Sequence, residues 1–158
     1  MLHIEITITQ MDITIRDLNN NEVAIALELI WEVFMEFEAP DYSQEGINEF
    51  RCFLDNQDGI RKLRFFGAFN RDEMVGTLAM RQNHITLLFM RKEFHRQGIA
   101  KKLFRHMLSQ ITSNEITVNS SPYALEVYGK LGFTATDAEQ ITNGIRYTPM
   151  LIQRKCLR

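Results

Sequence analysis

At 158 residues the chain can bury a core without disulfide or metal staples, and its 45% hydrophobic and 24% charged residues describe an ordinary soluble globular protein. A formal net charge of −2 leaves no basic footprint for nucleic acid, and no apolar run approaches the ~20 residues of a membrane span, so neither partner is expected. Cys52 and Cys156 stand far apart, in neither metal-ligand nor redox spacing. With no secretory signal pattern at the N-terminus, two reduced thiols in a cytoplasmic, metal-free protein are expected.

The first ten residues alternate Ile4, Ile6 and Ile8 with polar neighbours, as an extra strand or a loosely fixed arm would; the domain proper is expected over 11–158. Ile13 and Ile15 alternate again as a strand. Asn19 with Glu22 three positions on reads as a helix cap, and Val23, Ala26, Leu27, Ile30, Val33, Phe34 and Phe37 keep helical spacing until Pro40. Residues 32 to 45 hold Glu32, Glu36, Glu38, Asp41 and Glu45 without Lys or Arg, a field suited to a cationic substrate or simply a solvated face. Ser43 caps a second helix carrying Ile47, Phe50, Phe53 and Leu54, which ends in the turn-rich segment 55–59. Three strands follow at 63–69, 74–80 and 85–90, with connections short enough for an antiparallel meander.

After Gly98 the period changes to that of a helix through Ile99, Leu103, Phe104, Met107 and Ile111. Residues 116–118 form a short buried strand. Ser121 and Pro122 are the expected cap and first residue of another helix, which Gly132 terminates. Strands at 133–136 and 147–152 close the chain around an Asn143-Gly144 turn. The order β, α, α, β, β, β, α, β, α, β, β makes a mixed sheet flanked by about four helices, an α/β (α+β) fold.

The chemistry concentrates in 87–103. A strand feeds a short loop that opens into a helix whose first amides have no intrahelical acceptor, a site for phosphate oxygens. Gly98 removes the Cβ that would hold an anion away, and Ala100 keeps the first turn slim. His95, Gly98 and Ala100 resemble the acetyl-CoA signature of the GNAT superfamily: Arg or Gln, two residues, Gly, one residue, then Gly or Ala. His95 departs from the usual first residue. A second motif follows in the family's order: Ser121, Ala124, Val127-Tyr128 and Gly132-Phe133 resemble its Asn-x-x-Ala-x-x-Phe-Tyr-x-x-x-Gly-Phe helix, with Ser121 where Asn is common and Asn119 two residues earlier.

The resemblance implies a GNAT fold in which the strands at 85–90 and 116–118 run parallel and splay at their C-terminal ends. It implies a pantetheine arm paired with the backbone of Leu88, Phe89 and Met90, and a pyrophosphate on the loop His95, Arg96, Gln97, Gly98, Ile99, Ala100 and Lys101. Asn119, Ser121 and Tyr128 border the same cofactor. Tyr128 matches the position whose hydroxyl protonates the leaving thiolate, a role a phenol with pKa near ~10 can fill at neutral pH. The implied activity is N-acetyl transfer by direct attack of a primary amine, in a small molecule or a protein. Glu38 and His84 are the base candidates; Glu36, Glu38, Asp41 and Tyr42 are the substrate-contact candidates. The competing reading is a non-catalytic acyl-CoA-binding module on the same fold. A homodimer, through the first ten residues or the closing strands, is a further expectation.

Overall fold

The computed structural model describes residues 12 to 156, so the expected arm or extra strand at 1–10 lies outside the described residues. Strand β1 (Ile13–Asp17) opens the chain. Helix α1 (Asn20–Phe37) starts at a full capping box: Asn19 accepts from the Glu22 amide, and the Glu22 carboxylate accepts from the Asn19 amide, each at 3.0 Å. The capping carboxylate also meets Arg16 at 2.7 Å, and that cation with the cap holds its pKa down at about 2. Pro40 sits in a single 3-10 turn, Ala39–Asp41, that follows α1 directly.

Ser43 caps α2 (Gln44–Asp55), accepting from Gly46. The segment 55–59, expected as a turn, instead contains the start of the short helix α3 (Gln57–Arg61). Asn56 caps it by accepting from the Gly59 amide, so the residues that signal a turn start a helix here. The meander β2 (Arg64–Asn70), β3 (Glu73–Arg81) and β4 (His84–Met90) is antiparallel throughout, as expected. Helix α4 (Ile99–Gln110), strand β5 (Glu115–Ser120) and helix α5 (Leu125–Leu131) follow.

Helix α5 begins later than Ser121-Pro122 implies. The Ser121 hydroxyl accepts from the Ala124 amide at 3.2 Å, so it caps a turn over 122–124, and the helix proper starts at Leu125. The closing strands also differ from expectation. β6 (Thr134–Ala135) is short, and an additional strand β7 (Gln140–Thr142) forms a hairpin with β8 (Ile145–Gln153) around Asn143 and Gly144, both at positive φ.

Among the described residues eight strands form one mostly antiparallel sheet in the order β1-β2-β3-β4-β5-β8-β6, with β7 on β8 and five α-helices packed around it. This is the mixed-sheet architecture that the resemblance implies. Two apolar clusters cover its faces. One joins α4 and α5 to the sheet through Phe66, Leu78, Leu103, Met107 and Tyr128; the other joins α1 and α2 through Leu29, Ile30, Phe34, Leu54 and Phe89. Among the described residues no helix is long and apolar enough to cross a membrane.

Candidate active site

The sheet is split where, among the described residues, its one parallel pair occurs. β4 pairs with β3 from Arg81↔His84 to Gly76↔Met90, yet with β5 only at His84↔Thr117 and Ile85↔Val118. Beyond that point β5 stays with β8 as far as Ser120↔Thr148. Each strand follows its antiparallel partner, and the weaker parallel pairing is what opens as the sheet twists. From Thr86 to Met90 the edge of β4 that faces β5 is left without a strand.

A cleft of about 410 Å³ occupies this gap. Its lining brings together Glu38, Tyr42, His84, Leu88, Phe89, Asn119, Ser121 and Tyr128 of the residues singled out from sequence. Glu36 and Asp41 are not part of the lining. Glu36 faces solvent and pairs with Lys92 at 3.7 Å, while the Asp41 carbonyl accepts from Arg146 at 3.1 Å.

Glu38 follows the last residue of α1 and is only 9% exposed. Its Oε1 accepts from the Ser121 hydroxyl at 2.5 Å, a bond that joins the end of α1 to the end of β5. Burial pushes this carboxyl up to about 7; the Ser121 hydrogen bond works against the rise, and Asp41 adds to it. Tyr128 on α5 is buried, and burial together with the nearby Glu38 drives its phenol well above the ordinary range. It therefore stays protonated at neutral pH. His84 shares a hydrogen with Thr117 Oγ1 at 2.8 Å through Nδ1, and burial lowers its pKa, so the ring is neutral near pH 7.

At the far end of β4 the loop turns sharply. The His95 ring donates from Nε2 to the Met90 carbonyl at 2.6 Å and packs on Phe37, which in turn packs on Tyr123. This gives the residue that departs from the family pattern a definite contact within the chain. Arg96 and Gly98 follow at φ 60° and 77°. The amides of residues 96 to 101 have no acceptor among the described residues; the first backbone bond of α4 is Lys102 to Gly98 at 3.1 Å. A Cβ at Gly98 would meet nothing within 4 Å, so the space over these amides is open. Ile99 is buried and anchors the turn, whereas Arg96, Gln97 and Lys101 are exposed around it.

Beside Tyr42, the aromatic wall of the cleft is made by Phe34, Phe50, Phe53 and Tyr147, none of them singled out from sequence as a site residue. The helical spacing of Phe50 and Phe53 was visible, but it signals a core face equally well. Arg146 was also missed, since only the fold brings it to Glu139, at 3.1 Å, and to the cleft rim.

The family model for the acetyltransferase (GNAT) domain matches residues 38–154. The chain belongs to the GNAT acetyltransferase family. Among solved structures, a GCN5-related N-acetyltransferase from Rhodopseudomonas palustris superposes with a TM-score of 0.76 at 18% identity, over 90% of this chain and 97% of that one. The PaiA N-acetyltransferase from Thermoplasma acidophilum, solved in complex with coenzyme A, gives a TM-score of 0.74 at 19% identity, over 90% and 99%. YjaB from Escherichia coli, in its apo form, gives 0.70 at 21% identity, over 89% and 97%. At these identities the likeness is one of fold. No match is found among curated protein sequences.

Proposed function

We propose that this GNAT protein transfers an acetyl group from acetyl-CoA to a primary amine within a ternary complex. The observation that carries the reading is the split between β4 and β5, which places Glu38 and Tyr128 on one cleft whose open strand edge runs toward six acceptor-free amides. Those amides and the dipole of α4 suit a pyrophosphate, and Gly98 keeps its approach clear. The open edge of Thr86 to Met90 suits the amide groups of a pantetheine arm by strand addition. Bound there, the cosubstrate supplies an activated thioester carbonyl.

The chain's own residues supply the proton chemistry. Glu38 takes a proton from the ammonium group, whose reference pKa of ~10.4 leaves it charged near neutrality. The freed nitrogen bonds to the thioester carbon, and the C–S bond breaks. Tyr128 gives its proton to the departing sulfur and regains one as the new amide nitrogen sheds its second proton. Glu38 returns its proton to solvent. A backbone amide near Met90 polarises the carbonyl oxygen as charge develops on it. His84, neutral and on the same cleft, orients water or the incoming amine.

The test is thiol release from acetyl-CoA over a panel of primary amines, with the N-acetylated product identified by mass spectrometry. Acceptor-dependent release supports the reading. Tight acetyl-CoA binding with no release on any acceptor would instead identify a non-catalytic binding module.

A further inference from the structure

The acceptor side of the cleft has a composition and a closure that narrow the substrate class. Its wall is aromatic. Phe34 stacks on Phe50 at 4.0 Å and on Tyr42 at 5.6 Å, and Phe50 leans on Phe89 of β4 at 6.0 Å. Phe34 is itself buried and backs the wall, so the partly exposed Phe50, Phe53 and Tyr147 are rings left to meet an apolar ring or a cation carried on one.

The charge is one-sided. Among the lining residues Glu38 and Glu49 have no cationic partner, Glu38 buried and Glu49 exposed. Arg146, the lone Arg or Lys of the lining, is occupied by Glu139 and by the Asp41 carbonyl. One buried carboxyl behind an aromatic wall can compensate one ammonium group. A second ammonium a few bonds away would have only the exposed Glu49 as a counter-charge, a partner screened by water.

The cleft is also bridged. The tip of the β7–β8 hairpin rests on the first turn of α2 in direct backbone contact: a Cβ on Gly46 would collide with the Gly144 carbonyl, and one on Gly144 with the Gly46 amide. Tyr42 Oη donates to the Arg146 carbonyl at 3.1 Å on the same side. This clasp joins the two elements that flank the acceptor side. A polypeptide lying across the cleft would have to break it. Moreover, about 410 Å³ lies near the lower end of small-molecule sites, ~300–1,000 Å³, and the thioester end of the donor must share it.

We propose that the acceptor is a compact monoamine with an apolar, preferably aromatic, body, and that the Gly46–Gly144 clasp and the aromatic wall around Phe50 select against peptide lysines and polyamines. The proposal rests on the acetyl-transfer reading for the reaction, but binding can be measured apart from turnover. In the presence of saturating coenzyme A, 2-phenylethylamine, spermidine and a lysine hexapeptide are titrated by calorimetry, and the same three are assayed for acetyl-CoA turnover.

The expected result is 2-phenylethylamine bound at least tenfold more tightly than either competitor, with kcat/KM in the same order. Phe50→Ala should weaken that binding at least tenfold while leaving coenzyme A affinity within twofold. Gly46→Ala, which pushes the hairpin off α2, should raise the peptide-to-phenylethylamine ratio. Preference for spermidine or the peptide, or no detectable binding of 2-phenylethylamine, overturns the proposal. Selective binding of 2-phenylethylamine without thiol release on any acceptor sustains the assignment of the pocket and overturns the acetyl-transfer reading alone.

Discussion

Replacing Glu38 by glutamine separates the stability role of this side chain from its chemical one. Burial moves the carboxyl from an ordinary 4.5 to about 7, a change worth about 3 kcal/mol at ~1.4 kcal/mol per tenfold in proton affinity. The sign follows from which state releases its proton first. Below about pH 4.5 both the folded and unfolded chains hold the proton, and Glu38 carries no penalty. Between about 4.5 and 7 the unfolded chain ionises while the folded one does not, so stability falls as pH rises. Above about 7 the full penalty is present. In Glu38→Gln the side chain keeps its size, and its amide oxygen can still accept from Ser121, which donates at 2.5 Å in the parent. The variant should therefore gain stability over the parent as pH rises, by about 2–3 kcal/mol between pH 5 and pH 8. Urea denaturation of both proteins at each pH measures it, since other titrating groups cancel in the difference. In the same variant kcat/KM should fall at least 30-fold near pH 8 and lose its rise through pH 7. A stability difference that stays constant from pH 5 to pH 8 would refute the claim that the folded chain holds this carboxyl neutral.

Tyr128→Phe should leave acetyl-CoA affinity within a few fold and lower kcat about 10- to 100-fold; unchanged kcat with chemistry rate-limiting would remove the general-acid role. Gly98→Val places a β-branched residue at φ 77° and a side chain in the open space over the free amides. Acetyl-CoA affinity should drop at least tenfold, with about 1–2 kcal/mol of stability lost to backbone strain; an intact affinity measured by calorimetry would show that the loop is not the phosphate cradle. His95→Ala strips the Met90 carbonyl of its 2.6 Å donor and should cost about 1–2 kcal/mol while raising KM for acetyl-CoA more than it lowers kcat. His95→Gln should restore part of the KM effect, and equal loss in both variants would argue against the hydrogen bond as the cause.

What was legible in the sequence was local. The turn into α4 announces itself because Gly98, Ala100 and the period change at Ile99 all act within a few residues, and the observed φ and free amides follow from them. The mixed sheet was legible for the same reason, from short connections and alternating runs. The choice among Glu36, Glu38 and Asp41 was not. The 3-10 turn at Ala39–Asp41 decides which acid faces inward, and Glu36 is drawn outward to Lys92. Ser121 carried a true capping signal, yet its hydroxyl also donates to a carboxyl far away in the chain, a partner that no cap pattern reveals. The clasp was hidden most deeply, because neither Gly46 in a helix nor Gly144 in a turn signals contact with the other.

Glu38 stands where local rules disfavour a carboxylate. It lies at the C-terminal end of an 18-residue helix with no basic residue in its last turn, so the partial negative charge of the exposed carbonyls opposes ionisation. Burial opposes it further, and Asp41, three residues on, adds a like charge. A residue placed only for stability would be a glutamine or a hydrophobe at that point. Strongly perturbed titration in a cleft occurs both at functional sites and in structural networks. The lack of a cationic partner among the described residues separates the two cases here. A structural carboxylate this buried would be expected to hold an Arg or Lys, and this one holds a serine hydroxyl and an otherwise open cleft. An entering ammonium group would be the missing partner. Its arrival would favour the ionised carboxylate, so in the proposed reaction the residue that destabilises the empty fold would be the one that holds the amine and then takes its proton.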